Sequence, residues 1–238
     1  MSLIDEKSRG VFAIAVTPFT EDGVVDFASI DSLVDFYLES GCSGLTILGV
    51  MGEAPKLTAE EAVGFTRRVI KRAGNTPVVV GVSGPAFSPM RALANEVMDI
   101  GAAGVMIAPM AGLNTDQKIE SYFRSVTELL GKTPIVLQDY PPSNGVYFST
   151  NLLVKLFNDL PTLQVLKHED WPGLRKVTEF RGAEVSANTR RISILVGNGG
   201  LFLPQELQRG VDGAMTGFAF PDMLVRVVKL HAEGKEDE

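Results

Sequence analysis

Eight short apolar runs recur along this chain at a pitch of about 30 residues, shorter only for the last, and this repeat limits the possible folds more than any other feature. Each run is continuously apolar, as expected for strands that are covered on both faces of a parallel sheet. The runs are VFAIAV from Val11, LTILGV from Leu45, PVVVGV from Pro77, VMIAPM from Val105, PIVLQDY from Pro134, LQVLKHE from Leu163, ISILVG from Ile192 and AMTGFAF from Ala214. The sequence therefore predicts eight parallel strands.

Helix-length segments with an apolar stripe separate these runs, at residues 28–40, 90–100, 117–130 and 151–160. Another helix is predicted to begin at Thr58, because Thr58 and Glu61 have the spacing of a capping box. Eight strand-then-helix units in a chain of 238 residues predict an α/β protein with a single (β/α)8 barrel, or TIM barrel, over residues 1–232. A charged tail is predicted at 233–238.

A doubly wound open sheet is the alternative architecture. Such sheets often carry a Gly-x-Gly-x-x-Gly turn after the first strand, where the turn binds a dinucleotide. In this chain the first strand run is followed by Thr17-Pro18-Phe19-Thr20 instead. The sequence therefore favours the closed barrel.

The composition excludes several classes of partner. A formal net charge of -7 without a basic stripe makes nucleic acid and anionic membrane surfaces unfavourable partners. The only cysteine, Cys42, cannot form an intrachain disulfide, and it is predicted to be a core thiol in a reducing compartment. No apolar stretch approaches the ~18 residues of a membrane-spanning helix, and the N-terminus lacks the apolar region of a signal peptide. We therefore expect a cytoplasmic protein.

Polar residues that could carry chemistry follow the strand runs at their carboxyl ends, which form the active-site face of a (β/α)8 barrel. The fifth run ends at Tyr140, and Lys167 interrupts the sixth run near its end. Because alternate residues of a strand share a face, Lys167 shares one with Glu169 and Tyr140 shares one with Gln138. Both the phenol and the amine can therefore point into the barrel, and this pairing on neighbouring strands suggests imine chemistry.

A lysine in an apolar barrel can act as a nucleophile. Desolvation disfavours its ammonium form, which leaves some free amine to attack a ketone near neutral pH. A neighbouring tyrosine can move protons among the carbinolamine, the leaving hydroxyl and the reacting C–C or C–O bond. In the alternative interpretation the residues are structural: Lys167 forms a salt bridge with Glu169, and Tyr140 packs in the core.

Several short motifs occur in a fixed order along the chain. They are Thr17-Pro18-Phe19 after the first strand, Gly49-x-x-Gly52-Glu53 followed by Leu57-Thr58, Gly81-Val82 on the third strand, Tyr140 and Lys167. In this order they resemble the superfamily of dihydrodipicolinate synthase and N-acetylneuraminate lyase, which are Schiff-base enzymes on (β/α)8 barrels. The resemblance implies that Lys167 forms the imine, that Tyr140 relays protons, and that the Gly49 to Glu53 turn receives the carboxylate of a 2-oxo acid, with Thr17 near the floor.

Two positions of that turn depart from the family pattern. Hydroxyl residues are common there, whereas this chain has Val50 and Met51, which leaves carboxylate binding to the backbone N–H groups from Gly49 to Gly52. The fourth strand run ends in Met110, where the synthase would present a second tyrosine from a neighbouring subunit. We therefore do not expect dihydrodipicolinate synthase activity itself. The helical C-terminal extension of the family is expected to be short or missing.

The residues that follow Lys167 are more polar than the family pattern. Glu169 has two interpretations, either an acid, base or hydroxyl-binding group in the cavity or a carboxylate at the start of the next helix. Asp170 is predicted to be the N-cap of that helix, with Pro172 in its first turn. His168 alternates away from Lys167 and is predicted to be packed or hydrogen-bonded rather than catalytic.

A glycine-rich turn, Gly197-Asn198-Gly199-Gly200, follows the seventh strand run. It could cradle a phosphate, as barrels often do at this place, or it could be a purely conformational turn. The family resemblance implies instead a close approach to the bound 2-oxo acid, with Asn198 available to a hydroxyl. With two histidines, one cysteine and no clustered carboxylate triad, no metal site is predicted.

We therefore predict a metal-independent and cofactor-independent Schiff-base lyase, an aldolase or a dehydratase, that acts on pyruvate or a related 2-oxo (deoxy sugar) acid. One alternative is a non-catalytic protein that binds 2-oxo acids or sugar acids on the same barrel. The other is a phosphate-binding barrel isomerase. The expected partners are the small-molecule substrate and further copies of the chain, in a homo-oligomer that is a dimer or a tetramer.

Overall fold

The computed structural model describes residues 2–186 and 189–235 of the chain. Within these ranges eight parallel strands form a closed barrel in chain order, with β1 hydrogen-bonded to β8. The strands are β1 Gly10–Ile14, β2 Gly44–Ile47, β3 Val78–Gly81, β4 Gly104–Ile107, β5 Ile135–Asp139, β6 Leu163–His168, β7 Ser193–Val196 and β8 Gly213–Thr216. The predicted (β/α)8 barrel is confirmed, and the open-sheet alternative is wrong.

Helices surround the barrel within the described ranges. They are α1 Ile30–Glu39, α2 Ala59–Ala73, α3 Phe87–Ile100, α4 Asp116–Leu130, α5 Pro141–Asn144, α6 Thr150–Asp159, α7 Leu174–Ser186, α8 Leu203–Leu207 and α9 Pro221–Ala232. No helix in this part of the chain is long and apolar enough to cross a membrane. Of the tail predicted at 233–238, residues 236–238 lie outside the described residues.

The strands bury apolar side chains on both faces, which explains their continuous apolar runs. One set of buried side chains fills the barrel interior, and it consists of Phe12, Ile14, Val79, Met106, Val136, Val165, Leu195 and Met215, with Ile4 and Ala103 at the amino-terminal end. The intervening strand residues, such as Leu45, Leu137 and Leu166, pack outward against the helices. Full burial of one such side chain stabilises the fold by about 1.5 to 3 kcal/mol. Strand alternation therefore decides which residues face the interior.

The structure agrees with the predicted helix start at α2 but not with the one predicted for α7. At α2, the Thr58 Oγ1 accepts from the backbone N–H of Glu61, and the Glu61 carboxylate accepts from that of Thr58, so the predicted capping box is confirmed. Helix α7 begins at Leu174, so the predictions for Asp170 and Pro172 are wrong. The Asp170 carboxylate instead accepts from Lys176 Nζ at 2.9 Å, and this ion pair replaces the cap.

Candidate active site

Lys167 lies near the carboxyl end of β6, on the strand face that points into the barrel. Val165 of the same face belongs to the interior apolar set, whereas Leu166 and His168 face the helices. The side chain of Lys167 is almost completely buried, with 4% of the residue exposed. The Lys167 amine therefore lies at the carboxyl end of an apolar barrel interior, as strand alternation predicted.

Lys167 is paired with the carboxylate of Glu169. The Lys167 Nζ donates to Glu169 Oε2 at 2.6 Å, and Gln138 Nε2 donates to the same oxygen at 2.8 Å. Glu169 is 7% exposed, so both partners of this ion pair are buried. The salt bridge of the structural interpretation is thus present, but Tyr140 does not pack in the core, since it is only half-buried.

Two opposing effects act on the amine. Burial lowers the pKa of Lys167 below its ordinary value, because the charged form loses hydration. The Glu169 carboxylate and its hydrogen bond act in the opposite direction, and burial is the larger effect. The result is a lysine that gives up its proton more readily than one in water.

The Lys167–Glu169 pair borders a cavity of about 150 Å³ at the carboxyl end of the barrel. Its lining residues are Ile14, Val50, Met51, Gln138, Tyr140, Lys167, Glu169, Asn198, Gly199, Thr216 and Gly217. Six of the predicted site residues are therefore brought together here. Gln138 and Thr216 were not predicted as site residues, although the alternation that pointed to Tyr140 also placed Gln138 on the inner face.

A second cavity of about 430 Å³ adjoins the first, and Val50 and Gln138 line both. It extends from the predicted carboxylate turn at Gly49 towards Ser83 and Ser143. A larger cavity of about 750 Å³ lies around the amino-terminal ends of α6 and α7, and no predicted site residue lines it. The two small cavities together offer room for a substrate that reaches Lys167.

The predicted carboxylate turn lies between the loop after β1 and the end of β3. Thr17 Oγ1 donates to the carbonyl oxygen of Gly52 at 2.6 Å, so Thr17 anchors the turn and does not line either cavity. Leu48 adopts a left-handed backbone with φ of 54°. A Cβ on Gly81 would overlap the Leu48 carbonyl oxygen, so a residue without a side chain is needed there.

The turn also presents unused hydrogen-bond donors. Among the described residues, the backbone N–H groups of Val50, Met51 and Gly52 donate to no other protein group. The side chains of Val50 and Met51 are 61% and 43% exposed and contribute apolar surface to the smaller cavity. The turn can therefore offer N–H groups to an anion without side-chain hydroxyls at positions 50 and 51.

The glycine-rich turn after β7 has the N–H groups of Gly199 and Gly200 already paired. Gly199 N–H donates to Thr216 Oγ1 at 2.8 Å, and Gly200 N–H donates to the carbonyl of Gly197 at 3.0 Å. Asn198 lines the smaller cavity, and its Nδ2 donates to the backbone carbonyl of Glu169 at 3.3 Å. These N–H groups are not available to bind a phosphate, which removes the main support for the isomerase alternative.

His168 lies on the opposite face of β6 from Lys167. It is 2% exposed, and its Nδ1 lies 3.2 Å from Asp139 Oδ2. Its Nε2 lies 3.3 Å from the carbonyl of Gly173. The prediction of a packed, hydrogen-bonded histidine is confirmed, and this residue has no access to the cavity.

Other nucleophilic or metal-ligating side chains do not form a second site in the part of the chain that the structure describes. No group of three or more His, Cys, Asp or Glu side chains there could hold a metal ion. Cys42 is buried as predicted, and burial raises the pKa of its thiol to about 11. This thiol is therefore protonated at neutral pH.

Comparisons with known proteins relate the whole chain to one family. The sequence profile of the Dihydrodipicolinate synthetase family matches residues 7–238. L-2-keto-3-deoxyarabonate dehydratase of Azospirillum brasilense is 29% identical over 98% of this chain and 75% of its own length. 4-Hydroxy-tetrahydrodipicolinate synthase of Persephonella marina is 26% identical over 97% and 77%. A crystal structure of dihydrodipicolinate synthase from Rhodopseudomonas palustris is 52% identical, with a TM-score of 0.97 over 100% of this chain and 79% of that one.

Proposed function

Because the chain belongs to the dihydrodipicolinate synthetase family and is a lyase of that family, we propose that it acts on a 2-oxo acid through an imine on Lys167. The observation that carries this proposal is the Lys167 amine, which is buried, has a lowered pKa and borders a cavity at the carboxyl end of the barrel. The proposed substrates are pyruvate and deoxy sugar acids that contain the same 2-oxo carboxylate.

The proposed reaction begins when Lys167 loses a proton and its free amine attacks the C2 carbonyl carbon. A C–N bond forms, and the carbonyl π electrons move to oxygen, which is protonated to give a carbinolamine. The hydroxyl then takes a further proton and leaves as water, which yields the protonated imine. Tyr140 lines the same cavity and is the proposed donor and acceptor for these protons.

The substrate carboxylate is proposed to bind at the turn from Gly49 to Gly52. The unused N–H groups of Val50, Met51 and Gly52 support this assignment, since oriented backbone donors bind anions well. Thr17 would then act indirectly, because its hydroxyl holds the Gly52 carbonyl. The amide of Asn198 is the proposed partner of a substrate hydroxyl, because it lines the cavity.

Both reaction types of the predicted lyase use the same imine. In an aldolase the C3–C4 bond is cleaved, and in a dehydratase a C–O bond is cleaved, with the protonated imine as the electron sink in each case. The dehydratase from Azospirillum brasilense acts on a 2-keto-3-deoxy acid, as its name states. We include 2-oxo-3-deoxy acids among the proposed substrates on this ground.

We also propose that the protein works in the cytoplasm as a homo-oligomer, either a dimer or a tetramer. Large apolar side chains are exposed around the carboxyl end of the barrel, including Met110 at 43%, Trp171 at 55% and Phe220 at 61%. Exposed apolar patches often mark contact surfaces. Light scattering at several concentrations tests this proposal, and a monomer at all of them would contradict it.

Borohydride reduction in the presence of pyruvate tests the imine. We expect an irreversible adduct on Lys167, identified by intact mass and peptide mapping, and no adduct in Lys167→Ala. The matched control is Lys176→Ala, which removes a part-buried lysine of α7 that contacts Asp139 outside the cavity and should retain the adduct. If neither pyruvate nor longer 2-oxo acids are trapped by the unaltered protein, the imine proposal is wrong, and a non-catalytic binding protein becomes the better interpretation.

A further inference from the structure

We propose that Glu169 is the base that removes the C3 proton of the imine, an inference that rests on the proposed imine at Lys167. The resulting enamine is the species that would then add to an aldehyde or expel a leaving group. In this proposal the Glu169 carboxylate takes the C3 proton, and Tyr140 transfers the protons to and from the substrate oxygen.

The contacts of Glu169 place a carboxylate oxygen beside the reacting atoms. Glu169 Oε2 lies 2.6 Å from Lys167 Nζ. In the imine, C2 of the substrate is bonded to this nitrogen and C3 is bonded to C2, so C3 is two bonds from Nζ. A carboxylate in hydrogen-bond contact with Nζ is therefore within reach of a C3 proton. Gln138 Nε2 holds the same oxygen at 2.8 Å, which restricts its position.

The space that Glu169 occupies depends on Gly197 of the neighbouring loop. A Cβ on Gly197 would overlap Glu169 Cγ and Oε1 and would lie 2.6 Å from Cδ. The Gly197 N–H donates to the carbonyl of His168 at 3.0 Å, so this backbone cannot easily move away. The Glu169 backbone carbonyl is itself held by Asn198 Nδ2 at 3.3 Å. A residue without a side chain at position 197 therefore allows the carboxylate to lie against Lys167.

Few of the other groups that line the smaller cavity could act as the base. Among the described residues that line the smaller cavity, Glu169 is the only carboxylate, and Lys167 is consumed in the imine. Tyr140 is the remaining titratable group. The substrate carboxylate would be held at Val50, Met51 and Gly52, separate from Glu169, so the two anions need not compete for one place.

Each proton in the proposed step has a donor and an acceptor. The proton that Lys167 loses passes to solvent, and one proton is returned through Tyr140 to the departing water when the imine forms. Glu169 remains a carboxylate, next to a positively charged imine nitrogen. It takes the C3 proton, the C3–H electron pair forms the C2=C3 bond, and the C=N π electrons move to nitrogen. No oxidant, reductant or metal ion is required.

Hydrogen exchange of pyruvate tests the proposal without knowledge of the second substrate. In deuterium oxide the protein should replace the methyl hydrogens of pyruvate, and proton NMR follows the loss of their signal. We expect Glu169→Gln to slow this exchange about 100-fold or more, the usual effect of losing a general base. Borohydride should still trap pyruvate on Lys167 in this variant, because the uncharged amide leaves the amine free. Glu206→Gln, which alters a buried glutamate of α8 outside the cavity, is the matched control and should exchange at the wild-type rate.

A second variant acts on Glu169 without changing it. Gly197→Ala should displace the carboxyl group, retain trapping and slow exchange at least about tenfold. The proposal is wrong if Glu169→Gln or Gly197→Ala traps pyruvate and exchanges its methyl hydrogens at the wild-type rate. It is also wrong if Glu169→Gln no longer traps pyruvate, because Glu169 would then act before the C3 step. Failure of the unaltered protein to trap pyruvate would instead contradict the proposed imine.

Discussion

The two faces at the end of β6 carry two polar clusters of similar composition but different surroundings. The inner cluster consists of Lys167, Glu169 and Gln138, and the outer cluster consists of His168, Asp139, Lys176 and Asp170. Both contain a lysine that contacts a carboxylate, at 2.6 Å in the inner cluster and 2.8 Å in the outer one. The inner cluster borders a cavity, whereas the outer cluster is covered by α7, the helix that supplies Lys176.

The surroundings of each ion pair, more than its composition, indicate what it does. In the outer cluster Asp139 is 0% exposed and shares one oxygen between Lys176 and His168, which ties α7 to the barrel wall. In the inner cluster the carboxylate and the amine meet at a space that a small molecule can enter. Adjacent residues of one strand can therefore border a cavity on one face and attach a helix on the other.

The largest expected effect contrasts the lysines of the two clusters. Lys167→Met should lower pyruvate methyl exchange at least about 1,000-fold, because no imine can form without the amine. Lys176→Met should leave exchange per folded molecule within about threefold, because this lysine does not reach the cavity. NMR exchange rates, corrected for the folded fraction by circular dichroism, test both expectations. An equal loss in the two variants would show that the clusters do not have separate roles.

The next effect concerns stability and uses the outer cluster. Asp139→Asn should lower the free energy of unfolding by about 3 to 5 kcal/mol, because it removes a buried charge on which Lys176 and His168 depend. Urea denaturation followed by circular dichroism measures this loss. A change below about 1 kcal/mol would mean that the outer cluster contributes little to the attachment of α7.

The next prediction concerns the pH dependence of stability that the buried carboxyl group of Glu206 should cause. Burial raises the pKa of Glu206 from 4.5 to about 7 in the folded state, and the charge of His168 acts in the opposite direction. Between these two pH values the folded protein binds more protons than the unfolded chain, so the free energy of unfolding should fall as pH rises. The full effect is on the order of 3 kcal/mol.

Urea midpoints measured from pH 4.5 to pH 8 check this sign, a range that spans the pKa values of both states. The Glu206→Gln variant should lose this part of the pH dependence and should be more stable than the unaltered protein above pH 7. Identical pH profiles for the two proteins would exclude Glu206 as the group that titrates.

The smallest expected effect comes from an exposed ion pair that resembles the buried ones in geometry. Arg68 of α2 contacts Asp31 of α1 through two hydrogen bonds, at 2.7 and 2.8 Å. A double-mutant cycle with Arg68→Ala and Asp31→Ala should give a coupling below about 1 kcal/mol, because solvent screens both side chains. If the coupling is as large as the decrease in the free energy of unfolding in Asp139→Asn, the buried and the exposed ion pairs do not differ in strength.

Much of the site was predictable because strand alternation is a local property. The position of Lys167 near a strand end, on the face that carries Val165, follows from residues within one run. Gln138 belongs to the same pattern but was not singled out, because an amide by itself indicates no chemistry. The contact between Gln138 and Glu169 joins residues 31 positions apart, and no spacing rule predicts it. The cap predicted at Asp170 was wrong because Lys176 takes that carboxylate in the folded chain.

The amino-acid sequence already determined the order and number of strands, the closed barrel and the inward-facing position of Lys167 near a strand end. These features depend on periodicity and on strand ends, which are set by neighbours along the chain. The choice between the two interpretations of Glu169 required the tertiary structure. The carboxylate lies against Lys167 because β5 supplies Gln138 and the loop after β7 supplies Gly197, which leaves room for it. Burial lowers the pKa of a lysine and a neighbouring carboxylate raises it, so the direction of the Lys167 shift depends on which effect is larger. That balance is a property of the packed barrel, and only the tertiary structure decides it.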